Sequence, residues 1–107
     1  MKQRSQPLPA KDAKASLDAL ALALAALTKA GDVRAFLEDL CTPAELEAMS
    51  DRWKVVPWLL QGTPYREIHD HTLVSITTIG RVARPLERGA GGYAAAVRRT
   101  RREHVAH

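Results

Sequence analysis

Apolar residues recur along most of this chain at intervals of three and four, the period of an amphipathic helix and not the alternation of a strand. Leu17, Leu20, Leu24 and Leu27 predict a helix from about Ala10 to Ala30, ended by Gly31. Leu22 and many alanines widen its stripe beyond what one small neighbour covers, so it is expected to pack on more than one partner, a second subunit included. Val33, Phe36, Leu37 and Leu40 mark a short second helix, with Asp32 placed to cap it and its end near Cys41. Leu46, Met49, Trp53, Val56 and Leu60 mark a long central helix. Thr42-Pro43-Ala44-Glu45 opens it, a capping box with proline at the first helical position, and Gly62 closes it. Pro57 removes a backbone bond inside that helix and presses on the carbonyl one turn back, which predicts a kink near Trp53.

The pattern is sharpest from Tyr65 to Val82, YREIHDHTLVSITTIGRV. Thr63-Pro64 repeats the cap-plus-proline signature, Thr72-Leu73-Val74 makes a tight turn, and Ser75 caps the helix that follows. Ile68, Val74, Ile79 and Val82 face inward, which leaves Ile76, Thr77, Gly80, Arg81 and Arg84 outward. Two short helices joined in this way form a helix-turn-helix, here about residues 64–86, a unit built to set its second helix in the DNA major groove. Pro85 disfavours helical geometry at Arg84 and is expected to end or bend the second helix there. Gly89-Ala90-Gly91-Gly92 reads as a hinge, and Tyr93-Ala-Ala-Ala-Val97 as a last helix dissolving into Arg98-Arg99-Thr100-Arg101-Arg102. The expectation is an all-α chain of six helices: a flexible arm over 1–9, one helical DNA-binding domain over 10–97, and a basic tail over 98–107.

Charge strengthens the reading. Residues 1–62 hold eight Lys/Arg and eight Asp/Glu, whereas residues 63–107 hold eight arginines against Glu67, Asp70, Glu87 and Glu103. The whole excess of +4 therefore accompanies the helix-turn-helix and its tail, as expected of a chain whose partner is double-stranded DNA. Cys41 is the only cysteine, so no intramolecular disulfide forms. The charged N-terminus lacks a signal-peptide core and the Ala/Leu run at 19–27 is too short to span a bilayer, which predicts a cytoplasmic chain with no membrane partner. Catalysis has no candidate: no serine lies in a nucleophile elbow and no glycine-rich phosphate loop occurs. His69 and His71 are two apart and point to different sides of a helix, which disfavours a metal site. His104 and His107 read as solvated terminal histidines, and Trp53 and Trp58 as core or dimer-interface residues.

Several of these motifs occur together in one order: Phe36-Leu37-Glu38-Asp39-Leu40-Cys41-Thr42, then Pro43-Ala44-Glu45-Leu46-Glu47-Ala48-Met49, Arg52, Leu59-Leu60-Gln61-Gly62, Arg66-Glu67-Ile68, Ser75-Ile76-Thr77-Thr78-Ile79-Gly80-Arg81 and Gly92-Tyr93. In them the chain resembles the Trp repressor family, most closely its YerC/YecD-like branch. The resemblance implies an intertwined homodimer with two helix-turn-helix units on one side of the DNA, and a transcriptional regulator that acts as a repressor. It implies that Arg66 and His69 are DNA contacts on the first motif helix, and that Ile76, Thr77 and Gly80 face the groove. It also implies that Arg52 and Arg81 are the pair that sandwiches the indole of bound tryptophan in the Trp repressor. Two departures bear on that ligand. Where the family has glycine after the second arginine this chain has Val82, expected to fill the ligand's space, and where it has serine near the ligand amino group this chain has Pro85. Tryptophan is accordingly not expected as corepressor, and any other effector stays open. A third departure is Leu73 at the turn's usual glycine, which predicts a different backbone there.

Hydroxyls of Ser75, Thr77 and Thr78 suit phosphate or base contacts, the bland alternative being that Ser75 only caps and Thr78 only packs; Ser75 is expected to serve chiefly as a cap and Thr77 to touch DNA, with Thr78 kept among the candidate contacts. Arg81 and Arg84 suit bidentate contacts to guanine or phosphate. The alternative is a helical interaction module that keeps the fold but docks a protein through the Ala/Leu stripe of residues 17–27.

Overall fold

The computed structural model describes residues 6–106, with side chains through Arg101. Among the described residues every regular element is a helix: α1 (Ala10–Ala26), α2 (Ala30–Leu40), α3 (Pro43–Lys54), α4 (Val56–Leu60), α5 (Tyr65–Thr72), α6 (Ile76–Arg88) and α7 (Gly92–Ala106). These are the six helices expected, the central one broken in two. By its internal contacts the chain forms two compact units that meet at Thr42/Pro43, a pair of helices and a five-helix unit.

In the first unit neither α1 nor α2 contains a buried residue, and Leu17 and Leu22 are 66% and 73% exposed. Gly31 does not end α1 as expected. The break comes earlier, where Leu27 turns extended (φ −86°, ψ 123°), and Gly31 sits in the first turn of α2. Its backbone needs no positive φ there, so the glycine costs only its helix propensity, about 1 kcal/mol against alanine. Asp32, expected as the cap, lies in the same first turn, where a carboxylate favours the positive end of the helix dipole.

The second unit holds the core. Val55, Val56, Ile68, Ile79 and Val82 are fully buried and Val74 nearly so, with Trp58, Leu59, Leu86, Tyr93 and Val97 packed around them. α6 lies at its centre, touching α3, α4, α5 and α7. The proline break falls at Val55 (φ −85°, ψ −10°), two residues past the expected kink, because α4 restarts at Val56 with Pro57 in its first turn, where the missing N–H has no intrahelical partner to lose. That restart turns both Val55 and Val56 inward. It leaves Met49, Trp53 and Leu60 of the predicted stripe 38%, 41% and 45% exposed.

Two expected helix ends are overridden. Pro85 lies inside α6, which runs on to Arg88 while Val82 and Leu86 pack into the core on either side of it. Proline forfeits one backbone bond, and burial of α6's apolar face outweighs that loss. The helix stops at Gly89, whose N–H donates to the Pro85 carbonyl at 2.8 Å and where a Cβ would stand 2.5 Å from that oxygen. α7, expected to dissolve at Arg98, continues to Ala106, since arginine is a good helix former and a solvated charge does not break a helix. The Thr100 hydroxyl donates to the Ala96 carbonyl at 2.9 Å within it. α5 begins one residue later than expected, with Pro64 at the cap position and its carbonyl accepting from Ile68 N–H at 3.0 Å. No helix of the described residues is long and apolar enough to cross a membrane.

Candidate nucleic-acid interface

The motif is held from beneath by the four residues the pattern selected: Ile68, Ile79 and Val82 are fully buried, and Val74 is 3% exposed. Burying side chains of this size contributes about 1.5–3 kcal/mol each, enough to hold two short helices that would not persist alone. Ser75 caps α6, its Oγ accepting from Thr78 N–H at 3.1 Å and donating to Thr78 Oγ1 at 3.0 Å. Thr78 is thereby tied to the cap and half-buried, whereas Thr77 beside it is exposed.

The turn keeps the left-handed geometry that glycine usually supplies. Leu73 has φ 64° and ψ 7°, so the expected alternative backbone is not adopted. The conformation costs a leucine about 1–2 kcal/mol, and its side chain is 82% exposed, so packing does not offset the cost. His69 and Thr72 bond to the backbone around this turn.

Of the expected contact residues, Arg66, Ser75, Ile76, Thr77, Arg81 and Arg84 are exposed, with Ile76 48% exposed at the start of α6. His69 is half-buried, its Nδ1 2.8 Å from the Val74 carbonyl oxygen. Gly80 does not stand open. It is half-buried, with the ring of Tyr65 close enough that an added Cβ would touch it at 3.9 Å. His71 faces elsewhere, stacked on Trp58 with ring centroids 4.7 Å apart and planes 13° apart. Trp53 stacks on Tyr93 at 6.5 Å, so neither tryptophan lies in the deep core. Among the described residues no three His, Cys, Asp or Glu side chains converge to hold a metal; His104 and His107 lie outside the side chains described.

Two clefts flank α6. One, of about 650 Å³, opens between α3 and α6 and is lined by Arg52, Arg81 and Pro85 together with Glu47, Asp51, Thr78 and Tyr93. Three of the four residues assigned to a ligand pocket therefore meet in one place. The fourth, Val82, does not: its side chain is fully buried in the core, so it does not fill this space. Glu47 and Asp51 give the cleft negative charge beside its arginines, and Asp51 is partly engaged by Lys54 at 3.6 Å. Their spacing of four on α3 was visible in the sequence, but which helix they face was not.

The second cleft, of about 400 Å³, lies between α5 and α6 and is lined by Tyr65, Gly80, Ala83, Arg84, Glu87 and Arg88. Arg84 and Arg88 are one turn apart, and neither makes an ion pair among the described residues. Arg88 lies beyond the point, Arg84-Pro85, where the second helix was expected to end or bend.

The fold and the sequence have counterparts. The family model described as Trp repressor protein matches residues 15–101. An uncharacterized protein of Bacillus subtilis (strain 168), YerC, is 33% identical over 85 residues, covering 79% of this chain and 82% of its own. The crystal structure of a protein assigned as a Trp repressor from Staphylococcus aureus superposes with a TM-score of 0.74 at 33% identity, covering 81% of this chain and 87% of that one. With its fold and its sequence both matched across most of its length, the chain belongs to the Trp repressor family.

Proposed function

We propose that this protein is a helix-turn-helix transcriptional regulator that binds specific double-stranded DNA as a homodimer, acts as a repressor, and does not use tryptophan as its corepressor. The observation that carries the reading is the state of α6: rigidly seated by Ile79 and Val82, capped by Ser75, and presenting Ile76, Thr77, Arg81 and Arg84 to solvent. A capped helix with an exposed N-terminal turn and outward arginines suits the major groove, Ile76 for a thymine methyl and Thr77 and Arg81 for base edges. Arg66, Arg84 and Arg88 suit phosphates, which position the protein without reading sequence. The basic residues of α7 add to the same attraction for polyanions.

Dimerisation is supported by apolar side chains left open in each unit, Leu17, Leu22 and Leu40 in the first and Met49, Trp53 and Leu60 in the second. A dimer spanning one duplex turn would read half-sites about 34–36 Å apart. For the effector, the absence of a tryptophan response rests on Pro85, which offers neither hydroxyl nor N–H to a ligand amino group, and no longer on Val82. Titration calorimetry with tryptophan is expected to show no saturable heat, and micromolar binding would remove this part of the reading.

The direct test is fluorescence anisotropy on a duplex enriched by the protein from a random library. With roughly 6–10 phosphate contacts, affinity should fall about 10³–10⁵-fold between 50 and 200 mM salt. Thr77→Ala should weaken binding to the enriched duplex more than to a random one. A flat salt response would overturn the assignment to DNA.

A further inference from the structure

The turn between α5 and α6 sets a leucine in a left-handed backbone, with no burial of its side chain to compensate. Side chains of α5 surround that turn. His69 Nδ1 lies 2.8 Å from the Val74 carbonyl oxygen. A carbonyl only accepts, so the proton is on Nδ1 and the imidazole is the donor. Thr72 Oγ1 donates to the Ile68 carbonyl at 2.7 Å and accepts from Val74 N–H at 3.2 Å. The Leu73 N–H donates to the His69 carbonyl at 2.8 Å. Both backbone polar groups of Val74 are therefore gripped by side chains of the preceding helix, while its own side chain plugs the core at 3% exposure. Ser75, the cap of α6, is the next residue.

We infer that His69 and Thr72 are positioning residues: together they clamp Val74, hold the strained Leu73 turn closed, and so set the direction in which α6 leaves it. This rests on the reading of α6 as the helix that meets DNA. The clamp assigns His69 a positioning role, carried by its Nδ1, that is distinct from the direct DNA contact its place in the motif implies. It also accounts for leucine at a turn that ordinarily takes glycine: bonds from two neighbouring side chains supply the restraint that glycine's free φ would make unnecessary.

The test joins amide hydrogen exchange of the full chain to anisotropy on the enriched and random duplexes. In His69→Ala, exchange at the Thr78 and Ile79 amides, which donate to the side chain and the carbonyl of Ser75 at the start of α6, should quicken about 3- to 10-fold, the worth of one hydrogen bond, while the Leu59 amide of α4 keeps its rate. Preference for the enriched duplex should fall by a similar factor. Thr72→Val should act in the same direction. His69→Asn, whose side-chain amide can donate to the same carbonyl, should restore both readouts, and Leu73→Gly added to His69→Ala should recover part of the protection. Unchanged exchange at Thr78 and Ile79 in His69→Ala would overturn the clamp. So would an equal loss of affinity on both duplexes that His69→Asn fails to repair, the signature of a histidine touching phosphate. If the wild-type protein enriches no duplex, it is the DNA reading that fails, and the exchange rates of the same variants still decide the clamp.

Discussion

The helices α5 and α6 and the helices α1 and α2 carry apolar residues at the same spacing and use them differently. In the motif all four inward positions are buried to 3% exposure or less, whereas α1 and α2 have no buried residue and leave Leu17 and Leu22 mostly in solvent. A period of three and four thus marks a helix in both places but says nothing of what the helix packs against. The motif completes its own core from within its unit. The N-terminal pair leaves Leu17 and Leu22 open, with Leu20, Leu24 and Leu27 only half-buried.

That contrast can be broken most forcefully at Ile79. Removing its buried side chain in Ile79→Ala should cost about 2–5 kcal/mol in urea unfolding and weaken DNA binding through loss of the seat beneath α6. The same truncation at Leu22 should cost under about 0.5 kcal/mol if the residue stays exposed. A larger cost at Leu22 that grows with protein concentration would show that a partner chain covers it. Next in size is the pair Leu17→Glu with Leu22→Glu: if the stripe is a dimer surface, sedimentation should shift from dimer to monomer, and an unchanged mass would leave the stripe to a different protein, as the rival reading holds. Ser75→Ala should cost about 1 kcal/mol by removing the cap, measured by thermal unfolding; no change would mean that the α6 start is held by Val74 alone. Smallest is Leu73→Gly, expected to stabilise by up to about 1 kcal/mol, because relief of the left-handed strain exceeds the added freedom of the unfolded chain. Destabilisation there would show that the exposed leucine makes a contact after all.

Much of the candidate interface was legible. Ser75 as cap, Val74 as plug, and the outward set of Ile76, Thr77, Arg81 and Arg84 follow from local rules of capping and period, which act over one or two turns and need no distant partner. What failed did so where distant packing outweighed a local rule. Pro85 is expected to end or bend its helix and does not end it: Val82 and Leu86 bury the face on either side of it, and with α6 extended Arg88 joins Arg84 in one cleft. Pro57 was read as a kink in one stripe, and instead it re-phases the chain so that Val55 enters the core and Trp53 leaves it. Val82 lies in the core, as its period predicts, and is absent from the lining of the open cleft that Arg52 and Arg81 share.

By itself the sequence determined that the chain is helical, where its helix-turn-helix lies, and that its positive charge gathers there, because periodicity, caps and composition are properties of neighbouring residues. Only the tertiary structure decided that α6 runs on past Pro85, that Leu73 holds a left-handed turn, that His69 Nδ1 bonds to the Val74 carbonyl, and that Glu47 and Asp51 share a cleft with Arg52 and Arg81. Those outcomes depend on residues far apart in the chain, whose burial together outweighs what each would prefer alone.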